Sequence, residues 1–194
     1  MRKLILDEVI KTQELLAELL ASEALLQAFE RAARLGIEAL ENGRKIMFCG
    51  NGGSAADSQH LAAELVGRLN FDRPGLAALA LTTDSSILTA IGNDYGYERV
   101  FARQVEAIAD KGDVLVAIST SGRSGNIIEA LKTAASRGVI RIGLTGRDGG
   151  EMTGLCDQVI NIPTSETQKI QEGNIIFGHI FCALIEQAMF PVEA

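Results

Sequence analysis

The sequence predicts an α/β fold: a three-layer αβα sandwich around a five-stranded parallel sheet, entered through an N-terminal helical hairpin. Two observations set that class. From Lys45 onward, short runs that are apolar along their whole length alternate with helical stretches, the pattern of a parallel sheet covered on both faces. Glycine-rich or hydroxyl-rich loops follow several of those runs, and ligands of open α/β sheets bind outside the carboxyl ends of the strands.

The elements are justified in chain order. Ile5, Val9, Leu16 and Leu20, with Glu and Lys between them, give an amphipathic helix over residues 4–20. Ser22 is a good N-cap for a second helix, and Asn42-Gly43 is a typical stop for it. Leu15, Leu16, Leu19 and Leu20 together exceed what one narrow face needs, so part of this hairpin is expected to pack against another subunit. Strands are expected at 46–49, 76–81, 114–118, 139–144 and 158–162, and helices at 54–69, 85–91, 97–109, 124–136 and 167–190. No Pro- or Ser-rich linker, repeat or low-complexity tract interrupts them. Residues 1–194 therefore read as one domain, with 1–43 as the helical entry and 44–194 as the α/β core.

Composition narrows the function classes. A chain of 194 residues with 47% hydrophobic residues, 22% charged residues and a net charge of -7 is neither disordered nor basic, which argues against direct nucleic-acid binding. No apolar run is long enough to span a bilayer, and Met1-Arg2-Lys3-Leu4-Ile5-Leu6 soon meets Asp7, Glu8 and Lys11, so the chain reads as cytoplasmic with no membrane partner. Cys49, Cys156 and Cys182 are odd in number, widely spaced and flanked by apolar residues, unlike a disulfide framework or a metal knuckle.

The only two histidines carry the sharpest signal. His60 stands four residues before Glu64, a spacing that places both on one helix face, where a metal or a substrate could meet them. His179 lies in a late apolar helix, eight positions after Gln171. Either histidine alone reads better as an ordinary hydrogen-bonded structural residue. Gly50-Asn51-Gly52-Gly53-Ser54 follows the first strand and opens the helix of His60; its glycines allow close backbone approach, and its helix-starting amides favour an anion or a polar oxygen. It matches neither a Rossmann fingerprint nor a P-loop. Ser119-Thr120-Ser121-Gly122-Arg123-Ser124 again opens a helix, and four hydroxyls within six positions suit a phosphate monoester better than capping alone. Thr82-Thr83-Asp84 and Gly92-Asn93-Asp94-Tyr95-Gly96 lie between; the latter is either a plain Asn-Asp turn or a donor of an amide and a carboxylate to sugar hydroxyls.

Together with Leu144-Thr145-Gly146, Asp148-Gly149-Gly150 and Ile170-Gln171-Glu172, these motifs resemble, in collinear order along nearly the whole chain, the phosphoheptose isomerases of the sugar-isomerase (SIS) fold. The resemblance implies interconversion of sedoheptulose 7-phosphate and D-glycero-D-manno-heptose 7-phosphate, on the way to nucleotide-activated heptoses of bacterial surface glycans. It implies a homotetramer with active sites at subunit interfaces. Carried over by position, Ser119, Thr120, Ser121 and Ser124 hold the phosphate; Asn51, Gly52, Gly53, Ser54, Glu64, Asn93, Asp94 and Gln171 contact the substrate; and Glu64 and His179 carry the proton transfers. His60, Glu64, Gln171 and His179 match the positions that bind one zinc ion per subunit in some members. No nucleotide or redox cofactor is expected. Two departures stand out: Asn174 where members commonly have a histidine, and Gln168-Lys169 ahead of Ile170-Gln171-Glu172. The competing expectations are an isomerase of another ketose phosphate and a non-catalytic SIS binding module of the replication-initiator-binding type, which would have no need to retain a base and an acid.

Overall fold

The computed structural model describes residues 1–191. Two long helices, α1 (Arg2–Ala21) and α2 (Glu23–Glu41), form the hairpin, and Ser22 between them accepts a hydrogen bond from the Leu25 amide at 3.3 Å as an N-cap. The sheet comprises β1 (Ile46–Gly50), β2 (Ala78–Ala80), β3 (Val114–Ile118), β4 (Ile140–Thr145) and β5 (Gln158–Asn161). All pairings are parallel, in the order β2-β1-β3-β4-β5. The remaining helices are α3 (Gly53–Val66), α4 (Ser85–Tyr95), α5 (Ala102–Ile108), α6 (Gly125–Ser136) and α7 (Thr167–Met189).

The central strands bury both faces. Ile46 and Phe48 of β1, with Val114, Val116 and Ile118 of β3, join a core shared with α2, α3 and α7. Met47, Cys49, Leu115 and Ala117 point the other way, into a core shared with α5 and α6. This two-sided burial is why the strands read as continuously apolar rather than alternating. Phe177 of α7 anchors the first core, with its ring centroid 4.8 Å from Phe29 at 74° and 5.7 Å from Phe181. The three cysteines are free thiols, as their spacing suggested. Among the described residues no helix is long and apolar enough to cross a membrane.

Neighbouring β1 and β3 feed helices on opposite faces: α3, after β1, packs into the first core and α6, after β3, into the second. Their loops therefore diverge and open a crevice at the carboxyl ends of the strands, where the direction of strand order reverses.

Several boundaries differ from the expected ones. β2 pairs only over Ala78–Ala80, because it is an edge strand and Leu76 and Leu81 fill the two cores from its flanks instead. Helix α3 stops at Val66, where Arg73 folds back onto its last carbonyls: Nη2 donates to Glu64 O at 2.8 Å, and Nη1 to Leu65 O at 2.6 Å and Gly67 O at 3.0 Å. Glu186 holds Arg73 in place through Nε at 3.1 Å and also accepts from the Leu69 and Asn70 amides at 2.9 and 2.8 Å. The helix expected over 85–91 runs on through Gly92-Asn93-Asp94 to Tyr95 and is stopped by Gly96 at φ +85°, so that segment is the end of α4 rather than a plain turn. Past that glycine, the expected single helix over 97–109 divides into a 3-10 turn at Tyr97–Arg99 and the short α5.

Candidate active site

The crevice between the β1 and β3 loops is bridged by a reciprocal pair of amides. Asn51 Nδ2 donates to Asn126 Oδ1 at 2.9 Å, and Asn126 Nδ2 returns a bond to Asn51 Oδ1 at 2.9 Å. Tyr97 adds a hydroxyl donor to the same Asn51 oxygen at 3.1 Å. These bonds lock the loop that opens α3. Gln171 of α7 reaches the same loop, so closely that a methyl group at Gly53 would lie 2.5 Å from its Nε2. Ser54 is buried at the first turn of α3.

The hydroxyl loop is equally constrained. Ser119 N donates to Leu144 O at 2.9 Å, and Gly122 N closes a turn onto Ser119 O at 3.0 Å. Gly122 has φ +62°, and a Cβ there would collide with the backbone of Gly149, so only glycine lets the two loops touch. Ser124 is the N-cap residue of α6, yet its side chain makes no capping bond. Its Oγ lies 3.0 Å from Ser119 Oγ instead, and Ser121 Oγ accepts from Arg123 N at 3.2 Å. Thr120 and Ser121 line a cavity of about 210 Å³ with Arg123, Arg147 and Thr167.

The two histidines meet. His60 Nε2 and His179 Nε2 are 2.8 Å apart, with ring centroids at 5.1 Å, and Glu64 Oε1 is 3.3 Å from His60 Nε2. Close packing of α3 on α7 makes this possible. A methyl at Gly178 would lie 2.5 Å from Leu61, so the absence of a side chain beside His179 sets the helix spacing. Two imidazole nitrogens at this distance need one proton or one cation between them, since two bare lone pairs would repel. The three side chains offer ligand atoms all within 4.8 Å of one another, and two imidazoles with a carboxylate are a donor set that suits zinc. One turn ahead of His60, Asp57 has a buried carboxylate oxygen without a hydrogen-bond partner, and burial raises its pKa above the ordinary 3.8.

Not every expected residue converges. Asn93 and Asp94 are exposed at the end of α4, where Asn93 Nδ2 donates to Asp94 Oδ1 at 2.8 Å. The Gln171 side chain, from α7, lies beside Gly53 at the start of α3, and Gly53 is seven residues and about 10 Å along the helix axis from His60. Asn174, at the position that departs from the expected histidine, is 1% exposed, and both its amide atoms lack a hydrogen-bond partner.

Similarity to known proteins decides the class. The SIS domain model matches residues 10–146. The phosphoheptose isomerase of Aneurinibacillus thermoaerophilus is 57% identical over 172 residues, covering 89% of this chain and 87% of that protein. The phosphoheptose isomerase of Aliarcobacter butzleri (strain RM4018) is 53% identical over 189 residues, 97% of this chain and 99% of its own length. The chain belongs to the phosphoheptose isomerase family. The solved structure of the Neisseria gonorrhoeae phosphoheptose isomerase superposes with a TM-score of 0.89 at 45% identity, covering 96% of this chain and 98% of that one.

As a phosphoheptose isomerase the chain is an aldose-ketose sugar-phosphate isomerase. A carboxylate and two imidazoles stand on facing helices, and hydroxyls not spent on capping sit at the start of α6. Three features of this site escaped the sequence. Asn126 and Tyr97 fix Asn51 from distant elements, and no local spacing announces such a contact. Asp57 carried a weak signal, standing three residues before His60 on the same helical face.

Proposed function

We propose that this phosphoheptose isomerase interconverts sedoheptulose 7-phosphate and D-glycero-D-manno-heptose 7-phosphate for nucleotide-activated heptose biosynthesis in the cytoplasm. The convergence of Glu64, His60 and His179 across the α3–α7 seam carries this reading. Moving a carbonyl from C2 to C1 requires that a base take a proton from C1, that the electron pair form an enediolate, and that an acid return a proton to C2. Glu64 serves as base and His179 as acid, and both also shuttle the hydroxyl protons. Ser119, Thr120, Ser121 and Ser124 hold the phosphate with hydroxyls and helix-starting amides. Asn51, Gly52, Gly53, Ser54, Asn93, Asp94 and Gln171 position the sugar. A zinc ion, if bound at this seam, would be held by His60, Glu64 and His179 rather than by Gln171, and would polarise the carbonyl oxygen as a Lewis acid.

The working form is a homotetramer with active sites at subunit interfaces. In support, α1 leaves Leu4 66%, Ile5 63% and Val9 61% exposed, a row of apolar side chains that an isolated chain has no use for. Asn93 and Asp94 are exposed within one chain, and in this reading a neighbouring subunit completes their contacts. The test is to incubate the protein with sedoheptulose 7-phosphate and follow the aldose phosphate by NMR. Turnover of a hexulose phosphate in preference to the heptulose phosphate would instead assign a shorter sugar.

A further inference from the structure

The hydroxyl loop, read above as the phosphate holder, offers only neutral side chains at Ser119, Thr120, Ser121 and Ser124. A phosphate monoester carries nearly two negative charges at neutral pH, and cations bind it more strongly than neutral donors do. One cation stands within the loop itself. Arg123 Nη1 donates to the Ser121 carbonyl at 3.3 Å, which folds the guanidinium back along the loop. There it lines the cavity of about 210 Å³ alongside Thr120, Ser121 and Thr167.

The alternative employments of this arginine are weak. The depression on its other side is lined by Glu98, Glu129 and Glu151, together with Arg99 and Lys132. Glu129 is already engaged by Lys132 at 2.8 Å and by Arg99 at 3.7 Å. Among the described residues no carboxylate reaches ion-pairing distance of Arg123. Arg147 lines the same cavity but is committed elsewhere: Nη2 donates to Pro163 O and lies 3.6 Å from Glu18. Asp148 is the one carboxylate in the cavity wall, so the two guanidiniums leave that wall net positive.

We propose that Arg123 is a phosphate-recognising residue of this enzyme, supplying the doubly charged phosphoryl end of the sugar with the cation that the serine and threonine hydroxyls lack. This rests on the phosphosugar reading of the loop. An exposed arginine can swing a short distance from the Ser121 carbonyl to a phosphate oxygen without disturbing the fold, and its planar fork suits a two-point contact.

The test compares Arg123→Gln and Arg147→Gln with the unmodified enzyme, using calorimetry with inorganic phosphate and steady-state kinetics with sedoheptulose 7-phosphate. Removing Arg123 is expected to weaken phosphate binding about 10-fold or more, raise KM by a similar factor and leave kcat nearly unchanged, because the contact is remote from C1 and C2. Its phosphate affinity should also fall less steeply with added salt, and Arg147→Gln should change far less. Unaltered phosphate affinity and KM in Arg123→Gln would overturn the assignment. So would equal losses in both variants, which would mark a diffuse positive field rather than a contact. The two readings separate cleanly: Arg123-dependent phosphate binding without isomerisation keeps this inference and sinks the heptulose reading, whereas isomerisation indifferent to Arg123 does the reverse.

Discussion

In the proposed mechanism the chemistry turns on Glu64, because an amide in its place keeps the shape and loses the base. Glu64→Gln is expected to leave the protein folded while lowering kcat by at least about 100-fold. Circular dichroism and steady-state rates check this, and activity within a few-fold of the unmodified enzyme would remove Glu64 as the proton carrier. In the hydroxyl loop, Ser119→Ala combined with Ser121→Ala should weaken phosphosugar binding, since each lost hydrogen bond to a charged group is worth roughly 1.5–3 kcal/mol. Titration with unchanged affinity for both substrate and free phosphate would place the anion elsewhere. For His60, 2.8 Å from His179 and 3.3 Å from Glu64, exchange to Gln should lower both retained metal, read by elemental analysis, and turnover. Full activity in protein shown to be metal-free would eliminate zinc while leaving proton transfer by Glu64 and His179 intact. At this scale the sequence is informative wherever function rests on local spacing, as with His60 and Glu64 on one helix face or four hydroxyls in one loop. It is silent on Asn126 and Tyr97, whose value comes from meeting Asn51 across 75 and 46 positions of chain.

Among the elements, α3 matters most, since it carries His60 and Glu64 and is terminated by Arg73 under the control of Glu186. The Glu186 side chain is fully buried. Burial alone would raise its pKa, but the hydrogen bonds from Leu69, Asn70 and Arg73 outweigh burial and hold it below the ordinary 4.5. A carboxylate depressed in this way contributes stability that is present above 4.5 and is lost as pH falls through its folded value. Glu186→Ala should therefore cost about 3–5 kcal/mol near neutral pH, because Arg73 is left buried without its partner. The cost should shrink on acidification below 4.5, which denaturant melts across pH can follow. An equal cost at low and neutral pH would show that the loss is packing alone. This clamp also explains why α3 ends three residues before the expected 69: apolar Leu65, Val66 and Leu69 continue a helical pattern, and only the distant Arg73 and Glu186 interrupt it. The break between α4 and α5 has a visible cause in Gly96, but Gly92-Asn93-Asp94 reads as loop-forming, so the expected helix stops at 91 while α4 continues to Tyr95.

For the whole molecule, the alternation of apolar runs and helices was enough to read the layers and the five parallel strands, because burial on both faces writes itself into composition. Strand order was not legible, since which strands become neighbours depends on how crossovers pack rather than on any single segment. That order is what puts the β1 and β3 loops side by side and makes the crevice. The exposed apolar row of α1 belongs to the same scale: if it seals the proposed homotetramer, Leu4→Glu with Val9→Glu should lower the assembled mass measured by light scattering, and an unchanged mass would remove α1 as the interface. The most direct test of an isomerase built on the α3–α7 seam is NMR of sedoheptulose 7-phosphate incubated with the unmodified protein and, in parallel, with Glu64→Gln. The expected result is aldose 7-phosphate accumulating to equilibrium with the first and no conversion with the second; absence of aldose phosphate with the unmodified protein, or equal conversion by both, would contradict it.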